Sequence, residues 1–286
     1  ERDPDLGVLL HNFRSACKRL FLLTNSGPEY SDAMMSYLLG DSLGEYPSWR
    51  NYFDYVVTAS KKPSFFMGNA PFTDLDSGEE THEVERGRMY MGGNFSDFQR
   101  SLGYTGDEVL YVGDHIYGDV LRAKKESTWR TAMIIQEMDD ELRVHREHAI
   151  SFERAASLQQ TQGAVHDQLR EQQARLKRVE RKLGDPDLGT EKASWEAERV
   201  LHRRSIDRLR SQLKELDAER LELDDALDQA FHPFWGSLFK AGGEVSSFGN
   251  QVEQYACIYT SRASNLAQYS PMHYFQSPRH RMPHET

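Results

Sequence analysis

The chain has 286 residues, and its 35 Lys and Arg against 45 Asp and Glu leave a net charge of −10, which argues against a nucleic acid or an anionic membrane surface as its main partner. The length and a 38% hydrophobic content provide for one large domain or two ordinary ones with an ample core. No apolar run approaches the roughly 20 residues that span a bilayer, and Cys17 and Cys257 lie outside any CxxC spacing. A reducing, cytoplasmic setting is therefore expected, with no disulfide framework and no zinc signature. The opening at Glu1, without a methionine, is expected of a piece of a longer polypeptide.

In chain order, RLFLLTNS (19–26), FDYVVTAS (53–60), EVLYVGD (108–114) and TAMII (131–135) read as buried strands, being short, β-branched or aromatic, and bounded by polar or Gly-containing turns. Helical segments separate them. YSDAMMSYLLG offers Ser31 or Asp32 as an N-cap and Gly40 as a stop, and GDVLRAKKES follows the third strand. Strands alternating with helices predict an α/β fold, a parallel sheet with right-handed crossovers, over residues 1–150.

Residues 151–229 shift to Gln, Arg, Glu and Leu. Val165, Leu169, Gln172, Leu176, Val179 and Leu183 keep a seam spacing, as do Ile206, Leu209, Leu213, Leu216, Arg220, Leu223 and Leu227. With GDPDLG (184–189) between them, the two stretches predict an antiparallel helical hairpin whose leucine seam is its own core. A dimerisation or partner arm is the sharper alternative. Residues 230–286, aromatic-rich with Tyr255, Tyr259, Tyr269, Tyr274 and Phe275, are expected to pack back on the α/β part.

The stretch YVGDHIYGD (111–119) places Asp114 and Asp119 five positions apart at the end of a buried strand. In open parallel sheets such strand ends face the ligand crevice. A hard divalent cation such as Mg²⁺, bridging carboxylates and a substrate phosphate, gives both aspartates a reason to coexist there. The bland reading makes Asp119 a helix N-cap and Asp114 a turn former. At another strand end Thr24, Asn25 and Ser26 gather hydroxyl, amide and backbone N–H groups suited to phosphate oxygens. At a third, Lys61 or Lys62, before Pro63, can neutralise a transferring phosphoryl group.

These three strand ends, LLTNS, KKP and GDHIYGD in this order, resemble the motifs of the haloacid dehalogenase-like phosphohydrolases. The stretches YFDYVVTASKKPSFF and GDEVLYVGDHIYGDVLRAKKESTWRT and the ending MPHE resemble the cytosolic purine 5′-nucleotidase family, which prefers IMP and GMP. The likeness covers residues 15–150 and 230–286; the hairpin rests on periodicity alone. It implies a haloacid dehalogenase-like Rossmannoid sheet with an inserted hairpin, and Mg²⁺-dependent hydrolysis of purine nucleoside 5′-monophosphates through a phosphoaspartate. It also implies a homo-oligomer. Carried over, Thr24 binds phosphate through its hydroxyl, Asn25 and Ser26 complete that pocket, Lys62 is the neutralising lysine, Asp114 ligates Mg²⁺, and Asp119 supports the metal directly or through water. His115, inside the motif, is expected to be a structural hydrogen bonder.

The family's nucleophile and general acid belong to a DxDxT-type motif on a strand upstream of LFLLTNS, in the middle of the sheet between residues 20–24 and 109–112. Residues 1–286 are thus expected to be the C-terminal part of a longer polypeptide whose upstream part supplies that strand. Asp74-Leu75-Asp76 is a DxD by letters, but Ser77-Gly78 makes it a turn. The resemblance also implies an effector pocket drawing on Tyr117, Lys125, Gln251 and Tyr255, with Gln254 where the family has a basic residue, which puts effector activation in question. The rival from another class is a non-catalytic interaction protein with a degenerate phosphohydrolase core and a coiled-coil arm; a third reading changes the substrate to a sugar phosphate.

Overall fold

A computed structural model describes residues 2–40, 43–104, 106–185 and 189–277. The ending MPHE and part of the GDPDLG joint lie outside the described residues. The chain divides into two compact units, Glu1–Asp139 with Ser247–Thr286, and Asp140–Ser246.

In the first unit, strands β1 (Phe21–Leu23), β2 (Tyr55–Thr58), β3 (Phe72–Asp74), β4 (Glu80–Thr81) and β5 (Met89–Gly92) form one sheet in the order β1-β2-β5-β3-β4. β1, β2 and β5 run parallel, while β3 joins β5 antiparallel and turns back into β4. The Asp74-Leu75-Asp76 stretch is that turn: Asp74 Oδ1 accepts from the backbone N–H groups of Asp76 and Ser77, and Gly78 takes φ 74°. β6 (Leu110–Gly113), β7 (Arg130–Ile134) and the late strand β10 (Ile258–Thr260) form a second parallel sheet in the order β10-β7-β6.

β2 is buried on both faces, as a sheet covered on both sides requires. Tyr55 and Val57 join an aromatic cluster with Phe65, Phe66, Phe72, Phe98, Tyr111 and Trp129; Val56, pointing the other way, joins Leu39, Trp49, Tyr52 and Met89. Helices α1 (Leu6–Ser15), α2 (Pro28–Leu39), α3 (Ser64–Met67), α4 (Phe95–Leu102) and α5 (Arg122–Glu126) complete this unit with α9 (Ser247–Tyr255). α2 begins one turn earlier than Ser31 or Asp32 would set it. Gly27 is the N-cap, and Pro28 supplies the fixed φ that suits a first helical turn. Ser31 then donates back to Gly27 O, and Asp32 accepts from Trp49 and Arg50. Gly40 ends the helix as expected.

The second unit holds most of α6 (Met138–Glu147), the long helices α7 (Ala149–Leu183) and α8 (Lys192–Ala230), and the short strands β8 (Lys240–Ala241) and β9 (Glu244–Val245). At 1.5 Å per residue the 35 residues of α7 extend about 52 Å. The pairs Arg154–Glu219, Gln162–Asp217 and Gln172–His202 run in opposite order on α7 and α8, so the helices are antiparallel. Val165, Leu209 and Leu213 are buried in the seam with Leu169 and Leu216 against them, so the hairpin closes on its own apolar stripe. Residues 231–246 belong to this unit, where Leu238 N and Ser237 Oγ donate to the buried Glu141. Among the described residues no helix is long and apolar enough to cross a membrane.

Candidate active site

Three strand ends of the first unit meet. Thr24 continues β1, its N–H donating to Val57 O at 2.9 Å, and its Oγ accepts from Ser26 N at 3.1 Å. Among the described residues the Thr24 hydroxyl proton has no acceptor. Ser26 also accepts from Ala59 N at 2.7 Å, which ties the TNS turn to the loop after β2.

That loop is held in an unusual shape. Ala59 and Lys61 take φ 44° and 57°, left-handed values that side-chain-bearing residues rarely adopt, with Ser60 between them and a cis Lys62–Pro63 peptide after them. Asn25 fixes it. Its Oδ1 accepts from Lys62 N at 2.5 Å and from Ser60 Oγ at 3.0 Å, and its Nδ2 donates to Lys62 O at 2.9 Å. The Asn25 side chain thus grips the lysine loop, where the sequence reading directed it to phosphate.

The loop delivers Lys62 inward while Lys61 stays exposed. The Lys62 ammonium donates to Leu23 O at 3.1 Å and to the Tyr111 hydroxyl at 2.9 Å, and lies 2.7 Å from Asp119 Oδ1. Tyr111 OH in turn donates to the same Asp119 Oδ1 at 3.0 Å. Burial, with the Asp119 and Asp114 carboxylates nearby, pushes the Tyr111 hydroxyl above its ordinary pKa, so it remains a donor.

Asp119 reaches this position because the chain after β6 makes a π-helical turn, Ile116–Leu121, before α5. His115, not Asp119, caps the turn, its Nδ1 accepting from Gly118 N at 2.8 Å, so it is the structural hydrogen bonder expected. Gly113 is required by close approach: a Cβ there would stand 2.7 Å from Asp119 Cβ. Asp114 is exposed at the end of β6, and among the described residues its carboxylate has no partner.

Asp114 and Asp119 offer two hard oxygen donors, one already paired with Lys62. Among the described residues no group of three His, Cys, Asp or Glu is placed to hold a metal ion. Two carboxylates alone would make up only part of the shell of an ion such as Mg²⁺, which is often held by one or two carboxylates together with substrate phosphate and water. Tyr117, Lys125, Gln251 and Tyr255 meet in two pairs. Gln251 Nε2 donates to Tyr117 OH at 3.1 Å, and Lys125 Nζ stands 5.7 Å from the centre of the Tyr255 ring, while Gln254 is exposed.

Tyr111 is not among the site residues expected from the sequence. The available signal was a tyrosine in a buried strand, whose hydroxyl must find a partner. A second feature lies beside the site. Among the described residues β1 and β6 each pair on one side only, and both unpaired edges line a cavity of about 620 Å³ that Leu6, Phe13 and Tyr274 help enclose. These are the two strands between which the resemblance places a further strand.

The model of the 5′ nucleotidase family matches residues 1–286. A 5′-nucleotidase domain-containing protein of Dictyostelium discoideum is 30% identical over 291 residues, covering 99% of this chain and 44% of that protein. The 5′-nucleotidase domain-containing protein 2 of Rattus norvegicus is 29% identical over 276 residues, covering 94% and 42%. The chain therefore spans less than half the length of these relatives.

Proposed function

Because the chain belongs to the 5′ nucleotidase family, we propose that residues 1–286 form the phosphate-binding half of a phosphoric monoester hydrolase acting on purine nucleoside 5′-monophosphates such as IMP and GMP. The observation that carries this reading is the meeting of three motifs from separate strands, with Lys62 Nζ 2.7 Å from Asp119 Oδ1 and its loop gripped by Asn25. In this reading the sheet is of the haloacid dehalogenase-like type. The nucleophilic aspartate and the general acid come from a strand outside residues 1–286, and the cavity between the β1 and β6 edges is where such a strand fits.

The chemistry then divides as follows. The upstream carboxylate adds to phosphorus as the bond to the ribose 5′ oxygen breaks, and that oxygen takes a proton from the general acid. Water attacks the acyl phosphate, its proton returns to the same acid, and orthophosphate leaves. The Thr24 hydroxyl and Ser26 hold phosphate oxygens, and Lys62 offsets the charge that develops on them. Asp114 and Asp119 would hold Mg²⁺, which when bound supplies Lewis-acid charge neutralisation to the phosphoryl group.

The test is Mg²⁺-dependent phosphate release from IMP and GMP by the protein carrying residues 1–286 with its upstream strand, compared with AMP and a sugar phosphate. Lys62→Ala and Asp114→Asn are expected to abolish release while the circular dichroism spectrum is kept. No release overturns the reading in favour of a non-catalytic interaction protein, and release insensitive to Asp114→Asn overturns the assignment of Asp114 to the metal.

A further inference from the structure

Tyr111 is 4% exposed, and its ring is surrounded by Phe21, Phe66 and Trp129 with centroids 6.4, 6.2 and 5.6 Å away. A phenylalanine would fill that space equally well. The hydroxyl is the part packing does not explain. It accepts from Lys62 Nζ at 2.9 Å and donates to Asp119 Oδ1 at 3.0 Å, standing between an ammonium and a carboxylate that are already 2.7 Å apart.

Two charges so close and nearly buried would, left to themselves, close into a two-point pair. Lys62 would spend its N–H groups on both carboxylate oxygens, and each charge would cancel the other. The hydroxyl prevents this by taking one N–H of Lys62 and binding only Oδ1 of Asp119. Leu23 O takes a second N–H. Asp119 Oδ1 faces the third at 2.7 Å, so what is left over is Asp119 Oδ2, which has no hydrogen bond among the described residues.

We infer that Tyr111 is a positioning residue for phosphoryl chemistry: its hydroxyl keeps Lys62 and Asp119 from closing into a two-point pair, so that one carboxylate oxygen of Asp119 stays available to the counter-ion of the phosphoryl group. This rests on the 5′-nucleotidase reading above, and adds to it a residue that acts through two others without touching substrate.

Tyr111→Phe removes the hydroxyl and keeps the ring, so the near-ultraviolet signal of the adjoining Trp129 reports whether the fold is retained. The expected result is an unchanged spectrum, a kcat on IMP lowered about 10–100-fold, the range typical when a residue orienting a reactive group is lost, and a KM close to that of the parent. The same change made in Lys62→Met, read by orthophosphate binding because that background releases no phosphate, should then cost nothing further, because the hydroxyl has no ammonium left to orient. Equal losses in both backgrounds, or no loss in either, overturn the assignment. A protein that releases no phosphate from any purine monophosphate in any form sinks the nucleotidase reading alone. Tyr111 is then decided by orthophosphate binding in a calorimeter, where Tyr111→Phe should weaken binding about tenfold only when Lys62 is present, and an unchanged affinity overturns it.

Discussion

Asp54 and Asp119 are both buried aspartates of the first unit, 2% and 6% exposed, and both are paired with cations. Their surroundings differ in one respect. Asp54 has both oxygens committed: Oδ1 accepts from Arg86 Nε at 2.6 Å, and Oδ2 accepts from Leu20 N at 2.9 Å and Arg14 at 3.2 Å. It pins α1, the start of β1 and the loop before β5 to one point, and nothing remains with which to bind a ligand. Among the described residues Asp119 has only Oδ1 engaged, by Lys62 and Tyr111. Saturation on both oxygens marks a scaffold carboxylate, and a spare oxygen at an open strand end marks one that can work.

The same substitution at the two positions tests the distinction. Asp54→Asn should cost the most, about 3–5 kcal/mol, the range for breaking one partner out of a buried charge pair. Whichever way the amide turns, its NH₂ must face donors, Arg86 on one side or Arg14 and Leu20 N on the other. Urea denaturation measures the cost. A loss below about 1 kcal/mol would mean that water or movement of the arginines absorbs the change.

Gly113→Ala ranks next. The new methyl would meet Asp119 Cβ at 2.7 Å and Oδ2 at 3.0 Å, so the π-helical turn has to shift, at about 1–3 kcal/mol for overpacking. Denaturation again gives the energy. The accompanying expectation is weaker orthophosphate binding, since the displaced group is Asp119; unchanged binding would show that Asp119 tolerates the shift and that its position is less critical than the comparison with Asp54 implies.

Why the two aspartates could not be told apart from letters alone is instructive. The strands at 21–23, 55–58, 110–113 and 130–134 were legible because short β-branched and aromatic runs ending in polar turns have few other uses. The hairpin was legible from its seam spacing. The extension of the first sheet through β3 to β5 was not, since FTD and MYMG are too short to show a period. The π-helical turn was unreadable as well, because an extra residue in a turn has no compositional sign. At the site, residue types were readable and directions were not. Asn25 could serve phosphate or backbone equally, and only a contact across 37 positions, to Lys62, decides that its amide holds the loop. Tyr111 escaped for the opposite reason, because its ring suits an apolar strand and its hydroxyl is silent until Lys62 and Asp119 are placed beside it.

Asp119→Asn has the smallest expected effect on stability and is the sharpest way to break the comparison. An asparagine can keep its carbonyl oxygen at the Oδ1 position, still accepting from Tyr111 OH and Lys62, and turn its NH₂ toward the Oδ2 position, where no donor stands among the described residues. The change in unfolding free energy should therefore be about 1–2 kcal/mol, that of a hydrogen bond to the Lys62 ammonium made weaker and not of one left unmade, while phosphate release falls to background because the charge is gone. If Asp119→Asn instead costs as much as Asp54→Asn, then Oδ2 is not spare, Asp119 is a scaffold carboxylate like Asp54, and the working residue of the pair in GDHIYGD must be Asp114 alone.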